Sequence, residues 1–217
     1  MVITNKPQTI KTEDVEKIKA RLSRRDRNIF WLSCETGLRI GDVLNLKAYY
    51  VGKIMYVQEL KTGKWRSVEI SDELLHELTK YKPDLKDRHK WLFGSPRSPD
   101  KHLHRTTYHR HLKNVCNELK INFSAHSARK YYAQELFKRN YSLDEVQKAL
   151  NHKYISTTLE YLDIDTKALL EFVKRPEFTE LVERVKSGEN IKNLLNDKPD
   201  SPELAEAKKK ARTSTTP

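Results

Sequence analysis

The sequence predicts a mainly α-helical domain with a small antiparallel β-sheet. Helix-start and helix-stop residues followed by apolar residues at helical spacing recur along most of the chain. One stretch, Ile54 to Ile70, changes to β-rich residues on either side of the turn sequence KTGK, which indicates a β-hairpin. Beyond Asn122 every apolar segment has helical spacing again, so the hairpin is an insertion among helices.

The helices before the hairpin are predicted from their ends. Thr12 precedes an acidic first turn and an apolar stripe that starts at Val15, which predicts a capped amphipathic helix. A second helix is expected to stop at Gly37, because glycine is the usual left-handed residue at a helix C-terminus. A short helix then covers Arg39 to Leu46.

The chain after the hairpin is predicted in the same way. Ser71 caps a helix, Gly94 to Pro99 form a loop, and an apolar stripe from Tyr108 to Leu119 forms the next helix. Four further helices are expected at His126 to Arg139, Ser142 to Leu150 with a Ser142/Glu145 capping box, Thr157 to Leu162, and Lys167 to Lys186.

Length and composition indicate one soluble domain. The 217 residues are 37% hydrophobic and 33% charged, and no apolar run is long enough to cross a membrane or serve as a signal peptide. We expect a flexible N-terminus at 1–10, a domain at 11–186 and a mobile charged tail at 187–217. Two separated cysteines exclude a disulfide or zinc framework and suit a cytoplasmic protein.

The positive charge is concentrated in one region. The formal net charge is +12, and residues 86–130 hold eleven Lys and Arg against three Asp and Glu, with six of the eight histidines. Such a patch favours a polyanion, and double-stranded DNA is the leading partner for a soluble protein. The alternative is a solvated surface that only maintains solubility, although such surfaces usually mix both signs.

Separate segments each carry a residue suited to phosphodiester chemistry. No other chemically coherent set occurs in the sequence. Its members, in chain order, are Arg39, Lys61, His126, Arg129, His152 and Tyr161.

At these positions the sequence resembles the catalytic domain of the tyrosine recombinases, the phage-integrase family. The similar stretches are 36–46 (TGLRIGDVLNL), 61–70 (KTGKWRSVEI), 126–129 (HSAR) and 150–162 (LNHKYISTTLEYL). Any one of them is a weak signal, whereas four in the family's order are specific. The resemblance covers roughly residues 11–180 and implies the tyrosine recombinase catalytic-domain fold.

The resemblance implies DNA cleavage and rejoining through a 3′-phosphotyrosyl bond. Tyr161 takes the role of nucleophile, and Arg39 and Arg129 hold the non-bridging phosphate oxygens while negative charge builds in the transition state. Because these cations supply the charge stabilisation, no metal is expected. Because the phosphotyrosine bond conserves the energy of the phosphodiester, no ATP or other cofactor is expected either.

The remaining family roles fall on four residues. Lys61 is the general acid for the departing 5′-oxygen, with Lys64 as its competitor on the same turn. His126 and His152 donate to phosphate oxygens or transfer protons. Asp42 supports the site by orienting the arginine three residues before it. Each residue also has a purely structural interpretation. Arg39 and Asp42 can form a surface ion pair, and Lys61 can be a solvated turn lysine. His126 and Arg129 can be ordinary helix residues, and Tyr161 can pack in the core.

The basic region supplies most of the predicted DNA contacts. Four histidines at 102, 104, 109 and 111 suggest a metal site at first sight, but an i, i+2 pair does not converge on one helical face. Contact with the DNA backbone is therefore favoured over metal ligation. The predicted DNA-binding residues are Lys64, Arg105, His109, Arg110, Lys113 and Lys130.

The sequence departs from the family pattern in three respects. Asn151 stands where glycine usually precedes the histidine, and Asp42 stands where Glu is common; Asn tolerates a left-handed backbone and Asp keeps the charge. Only 38 residues precede Arg39, so we expect no N-terminal DNA-gripping domain, as in a minimal recombinase or a fragment of a longer integrase.

The resemblance also implies an assembly. Family enzymes act as homotetramers on two duplexes through exchange of a C-terminal helix, for which 167–186 is the candidate, with DNA-bending accessory proteins as possible helpers. The same apolar stripe is equally suited to packing on its own domain in a monomer.

Two alternative functions compete with a site-specific recombinase. One is a non-catalytic DNA-binding transcriptional regulator that either reuses the recombinase fold or reads DNA through a helix-turn-helix, since 142–162 has the helix, turn, helix pattern of such modules. A regulator has no reason to keep the catalytic set in register. The other is a type IB topoisomerase, which is disfavoured because the segment before Tyr161 lacks a Ser-Lys-x-x-Tyr arrangement.

Overall fold

The sequence folds into helices grouped around one long central helix, with two β-hairpins between them. The computed structural model describes residues 10–82 and 90–162. Helices and strands in these ranges are α1 (Thr12–Arg21), α2 (Arg24–Thr36), α3 (Ile40–Leu44), a short 3₁₀ helix (Ala48–Tyr50), β1 (Ile54–Gln58), β2 (Trp65–Glu69), α4 (Asp72–Tyr81), β3 (Gly94–Ser95), β4 (Ser98–His102), α5 (Arg105–Leu119), α6 (Ala125–Lys138), α7 (Leu143–Leu150) and α8 (Ile155–Tyr161).

The predicted helix ends are mostly confirmed. Gly37 ends α2 with a left-handed backbone at φ 61°, and the Ser71 hydroxyl accepts the third amide of α4. The Ser142/Glu145 capping box is present at the start of α7. These signals work because each satisfies backbone groups that a helix end would otherwise leave unpaired.

Two local predictions are wrong. Thr12 does not cap α1; it is the first helical residue, and Lys11 precedes it without a side-chain cap. The segment predicted as a loop at Gly94 to Pro99 belongs to the antiparallel β3–β4 hairpin. That hairpin extends through the hydrogen bond from the Leu103 amide to the Phe93 carbonyl, a contact that local propensity does not reveal.

The first hairpin has one buried and one exposed face. Strands β1 and β2 pair antiparallel from Ile54 opposite Glu69 to Gln58 opposite Trp65. Met55 and Val57 are buried while their neighbours along β1 are exposed, as the two-residue period of a strand requires. The turn between the strands therefore projects from a hairpin whose inner face is anchored in the core.

The core has two parts that share α6. The larger part surrounds α2, where the Phe30 ring lies 5.3 Å from the ring of Phe123. The smaller part joins α6 to α7 through Leu136 and Val146, and Tyr161 packs against it. Helix α6 thus connects the segment around Arg39 to the segment around Tyr161.

The other features predicted for the chain lie outside the described residues. These are most of the flexible N-terminus at 1–10, the helix at 167–186 and the tail at 187–217. Among the residues that the structure describes, no helix is long and apolar enough to cross a membrane.

Candidate active site

A cleft of about 400 Å³ opens between the start of α3, the β1–β2 turn, and the first turns of α5 and α6. It is lined by side chains from four separate parts of the chain. Four of the six predicted catalytic residues and two of the predicted DNA-binding residues line it: Arg39, Lys61, Arg105, His109, His126 and Arg129.

Arg39 occupies the N-cap position of α3, directly after the left-handed turn at Gly37. Its side chain is about one quarter exposed, and its Nη1 lies 3.0 Å from Oε2 of Glu59. The Glu59 side chain is fully buried. The guanidinium is thus held from behind by a buried carboxylate while the residue lines the cleft.

Arg129 is a buried guanidinium on α6, with only 2% of the residue exposed. Its Nη1 donates to the Gly37 carbonyl at 2.5 Å, and its Nη2 donates to the Leu150 carbonyl. Burial, followed by the positive charges of Arg39 and Arg66, lowers the pKa of Arg129 to about 10. Arg129 therefore stays charged at neutral pH and connects the ends of α2 and α7.

Lys61 lies on the exposed turn between β1 and β2. The turn closes through two backbone bonds, from the Glu59 amide to the Lys64 carbonyl at 3.0 Å and from the Gly63 amide to the Glu59 carbonyl at 2.8 Å. Gly63 takes φ 67°, which suits glycine. The turn is thus a closed unit that presents the Lys61 ammonium to the cleft.

Asp42 has a different hydrogen-bond partner from the one that the resemblance implies. Its Oδ1 accepts the amide of Leu60 at 2.9 Å, while the carboxylate that pairs with Arg39 at 3.0 Å is that of Glu59. Burial raises the pKa of Asp42 above its usual range, although the Leu60 amide and the arginines oppose this. Asp42 therefore attaches the Lys61 turn to α3.

His152 and Tyr161 lie together, within electrostatic reach of Arg129, and neither is among the residues that line the cleft. Their rings meet edge to face with centroids 4.9 Å apart. The His152 Nδ1 lies 3.0 Å from the Thr158 hydroxyl. Burial and then the charges of Arg129 and Arg39 lower the pKa of His152 to about 4, so this imidazole is neutral at pH 7.

The predicted DNA-binding residues do not all share one surface. His109 faces the cleft one turn after Arg105, and burial together with the charges of Arg105 and His126 lowers its pKa. Arg110 instead lines a groove on the opposite side of α5, with Trp91. Lys64, Lys113 and Lys130 do not line the cleft.

The clustered histidines are bound to different partners. His102 contacts the Leu103 carbonyl, His104 contacts the Thr106 hydroxyl, and the His111 Nδ1 lies 2.7 Å from the Asp26 carboxylate. In the ranges 10–82 and 90–162, no group of three His, Cys, Asp or Glu side chains is arranged to hold a metal ion.

Three residues of the site were not predicted to act together from the sequence: Glu59, Arg66 and the side chain of Asn151. Glu59 continues the inward positions of Met55 and Val57, so the alternation of β1 carries the signal for its burial. Arg66 lies opposite Val57 on the same inner face. A charged pair on the core face of a hairpin is the pattern that identifies them.

Comparison with models of known protein families identifies the family of the chain. The model of the phage integrase family matches residues 8–168. That match covers most of the chain, so the chain belongs to the phage integrase family. The predicted family and fold class are therefore confirmed.

Curated relatives carry recombinase names. The tyrosine recombinase XerA of Pyrococcus horikoshii is 29% identical over 181 residues, which cover 81% of this chain and 64% of that protein. The XerA of Pyrococcus furiosus is 30% identical over 80% of this chain and 63% of its own length. The probable integrase/recombinase YoeC of Bacillus subtilis is 28% identical over 71% of this chain and 86% of its own length. The chain thus spans less than two thirds of the two XerA proteins.

Solved structures share the fold. A crystal structure of XerA recombinase matches with a TM-score of 0.63 at 23% identity, over 77% of this chain and 64% of that chain. XerH site-specific recombinase, bound to its difH substrate in a pre-cleavage complex, matches with a TM-score of 0.62 at 19% identity, over 80% of this chain and 56% of that chain.

Proposed function

We propose that the chain is the catalytic part of a site-specific DNA recombinase that cleaves and rejoins DNA through a phosphotyrosyl intermediate on Tyr161. The observation that carries this proposal is the convergence of Arg39, Lys61, His126 and Arg129 on one cleft, in a chain that belongs to the phage integrase family. Four cationic or proton-transferring side chains from three segments of the chain fit a single phosphodiester.

Phosphate binding is the role of the two arginines. Arg39 lines the cleft with a side chain that is about one quarter exposed, and Arg129 is fixed at its base by two backbone carbonyls. Donors fixed in advance need no reorganisation when charge develops on the non-bridging oxygens, and each such donor is typically worth roughly 10² to 10³ in rate.

The nucleophile is the Tyr161 hydroxyl. Its oxygen forms a bond to phosphorus while the bond from phosphorus to the 5′-oxygen breaks, which leaves a 3′-phosphotyrosyl bond and a free 5′-hydroxyl. The neutral imidazole of His152, in contact with the Tyr161 ring, is suited to accept or relay the tyrosine proton.

The leaving 5′-oxygen takes its proton from Lys61. The lysine lies on an exposed turn and lines the cleft, so it can approach the bridging oxygen from the side of the DNA. Reversal with a different 5′-hydroxyl rejoins the strand. The reaction uses neither ATP nor a metal ion in this proposal, because the phosphotyrosine bond retains the energy and the arginines supply the charge.

Double-stranded DNA is the proposed partner, and a homotetramer that exchanges C-terminal helices is the proposed assembly. XerH is solved with its difH substrate, and a lambda integrase tetramer is solved on a Holliday junction. The basic residues at the cleft and on α5 supply the phosphate contacts. DNA-bending accessory proteins remain a prediction from the resemblance.

The regulator alternative has no support from the comparisons, since the relatives reported above are named recombinases or integrases.

A covalent-trapping experiment tests the proposal. The protein is incubated with duplexes that cover the DNA flanking its own gene. Each duplex carries a nick, so that the short cleaved strand diffuses away and cannot be rejoined. The products are separated on a denaturing gel. We expect an adduct that resists denaturant and that peptide mass spectrometry assigns to Tyr161.

Two variants make the experiment specific. Tyr161→Phe should abolish the adduct, whereas Tyr154→Phe should retain it, because Tyr154 is an exposed tyrosine just before the same helix. An adduct that survives in Tyr161→Phe, or specific binding to one duplex with no adduct from the wild-type protein, would refute the proposed chemistry.

A further inference from the structure

Glu59 connects the Lys61 turn to the rest of the candidate site. Its side chain is fully buried, and its Oε2 receives three contacts from different segments. The Thr62 hydroxyl donates to this oxygen at 2.9 Å, the Asn151 side-chain amide donates to it at 2.7 Å, and Arg39 Nη1 lies 3.0 Å from it. One carboxylate thus touches the Lys61 turn, the segment before α3 and the residue before His152.

The backbone of Glu59 belongs to the same turn. Its amide and its carbonyl make the two bonds that close the chain around Lys61. A movement of the Glu59 side chain therefore moves the turn with it. Because the turn is otherwise solvent-exposed, the contacts of Glu59 and the hydrogen bond from the Leu60 amide to the Asp42 carboxylate hold it against α3.

Glu59 keeps its negative charge in this environment. Burial alone would raise the pKa of Glu59, but the hydrogen bonds from Asn151 and Thr62 and the charge of Arg39 outweigh burial and lower it. Its other oxygen, Oε1, has no hydrogen-bond partner among the residues described and lies 3.8 Å from Arg66 Nη1. The carboxylate is thus held by ionic contacts on both sides.

Building on the proposed recombinase chemistry, we propose that Glu59 is a positioning residue that docks the Lys61 turn onto Arg39 and Asn151, so that the lysine meets the leaving 5′-oxygen. Glu59 itself touches no reacting atom. Its role is to set the distance between the proton donor and the arginine that holds the phosphate.

The proposal also gives Asn151 a function. Asn151 ends α7 with φ 51°, a conformation that glycine, the usual family residue here, adopts at no cost. Glycine has no side chain to reach Glu59, whereas the Asn151 amide reaches it at 2.7 Å. Asparagine at this position and glutamate at 59 therefore form a matched pair.

The catalytic test compares two leaving groups. In one nicked substrate the scissile 5′-oxygen is ordinary; in the other it is replaced by sulfur, whose thiol has a pKa near 8.5 like that of cysteine and needs no general acid to leave. We expect Glu59→Gln to slow adduct formation on the oxygen substrate by about 10²-fold, the lower range for a lost general acid. On the sulfur substrate, the rate of the variant should return to that of the wild-type protein. Asn151→Gly should show a smaller loss with the same restoration.

Hydrogen exchange tests the docking without any reaction. The amides of residues 60–64 should exchange faster in Glu59→Gln than in the wild-type protein. Glu69→Gln is the matched control, since Glu69 is a glutamate on the exposed face of the same hairpin and should change neither exchange nor rate. Thermal unfolding checks that each variant is folded, and Asn151→Gly carries the test if Glu59→Gln is not.

The two proposals fail in different ways. Absence of a wild-type adduct counts against the recombinase chemistry, and the exchange experiment still decides the docking. Unchanged exchange in residues 60–64, or an equal loss of rate on the oxygen and sulfur substrates, overturns the positioning role of Glu59.

Discussion

The Arg129→Ala variant distinguishes the contribution of a buried arginine to the reaction rate from its contribution to the unfolding free energy. The guanidinium donates to the carbonyls of Gly37 and Leu150, so its removal leaves two buried acceptors without a donor. The same change removes a buried positive charge that lies near Arg39 and Arg66. These two consequences have opposite signs for stability.

The magnitudes nearly balance. Hydrogen bonds from a charged donor contribute about 1.5 to 3 kcal/mol each, so two of them contribute about 3 to 6 kcal/mol. A pKa of about 10 for Arg129 means that the folded protein disfavours its charge by about 3 kcal/mol, at about 1.4 kcal/mol per pKa unit. The variant should therefore lose only about 0 to 3 kcal/mol of unfolding free energy.

Activity should fall far more than stability. Loss of one fixed donor to a developing phosphate charge costs roughly 10² to 10³ in rate. The measurement pairs urea unfolding with the initial rate of covalent adduct formation, and Arg139→Ala, an arginine at the far end of the same helix, is the control. Destabilisation well above about 5 kcal/mol would show that the arginine is chiefly structural, and an unchanged rate would show that it does not hold the phosphate.

Three further predictions concern pH, salt and backbone geometry. Because the pKa of His152 is lowered to about 4, the unfolded chain takes up a proton below about pH 6.5 that the folded protein does not. The unfolding free energy, measured by urea titration, should therefore fall as the pH is lowered from about 6.5 to about 4. The His152→Gln variant should lack this contribution to the pH dependence. Arg105→Ala should reduce the slope of log K against log salt for DNA binding by about 0.9, measured by fluorescence anisotropy, whereas an unchanged slope would mean no phosphate contact. Gly37→Ala should lower the unfolding free energy by about 2 to 4 kcal/mol, since a Cβ at this residue, with φ 61°, would lie 2.3 Å from a Tyr132 ring carbon. Gly63→Ala, at φ 67° with no atom within 4 Å of the added Cβ, should lower it by about 1 kcal/mol. Equal losses of unfolding free energy in thermal unfolding would refute the steric argument.

Local signals in the sequence predicted most of the fold. The serine caps at 71 and 142 and the glycine at 37 act within three or four residues of themselves, so their effect can be read without tertiary structure. The β3–β4 hairpin was missed for the opposite reason. Its strands contain few β-forming residues, and it depends on contacts such as that from Trp91 Nε1 to the Asp100 carbonyl.

The candidate site shows the same division between local and long-range information. The resemblance supplied the residues expected to carry the chemistry, and the structure brings four of them to one cleft. It did not supply the partner of Arg39, because that partner lies twenty residues away and depends on how the hairpin docks against α3. An acid three residues from an arginine is an attractive partner by spacing alone, yet the buried inner face of a strand placed Glu59 closer.

The charges gathered at the site do not cancel. Arg39, Arg66 and Arg129 face the carboxylates of Glu59 and Asp42, and the neighbouring His152 is held neutral. The pKa of Arg129 is lowered first by burial and then by the charges of Arg39 and Arg66, so this surplus contributes to the shift. A buried cationic surplus lowers stability unless an anion offsets it. Under the proposed recombinase chemistry, a phosphodiester in the cleft would offset this surplus, so that the stability lost at these arginines would be recovered as binding and transition-state stabilisation.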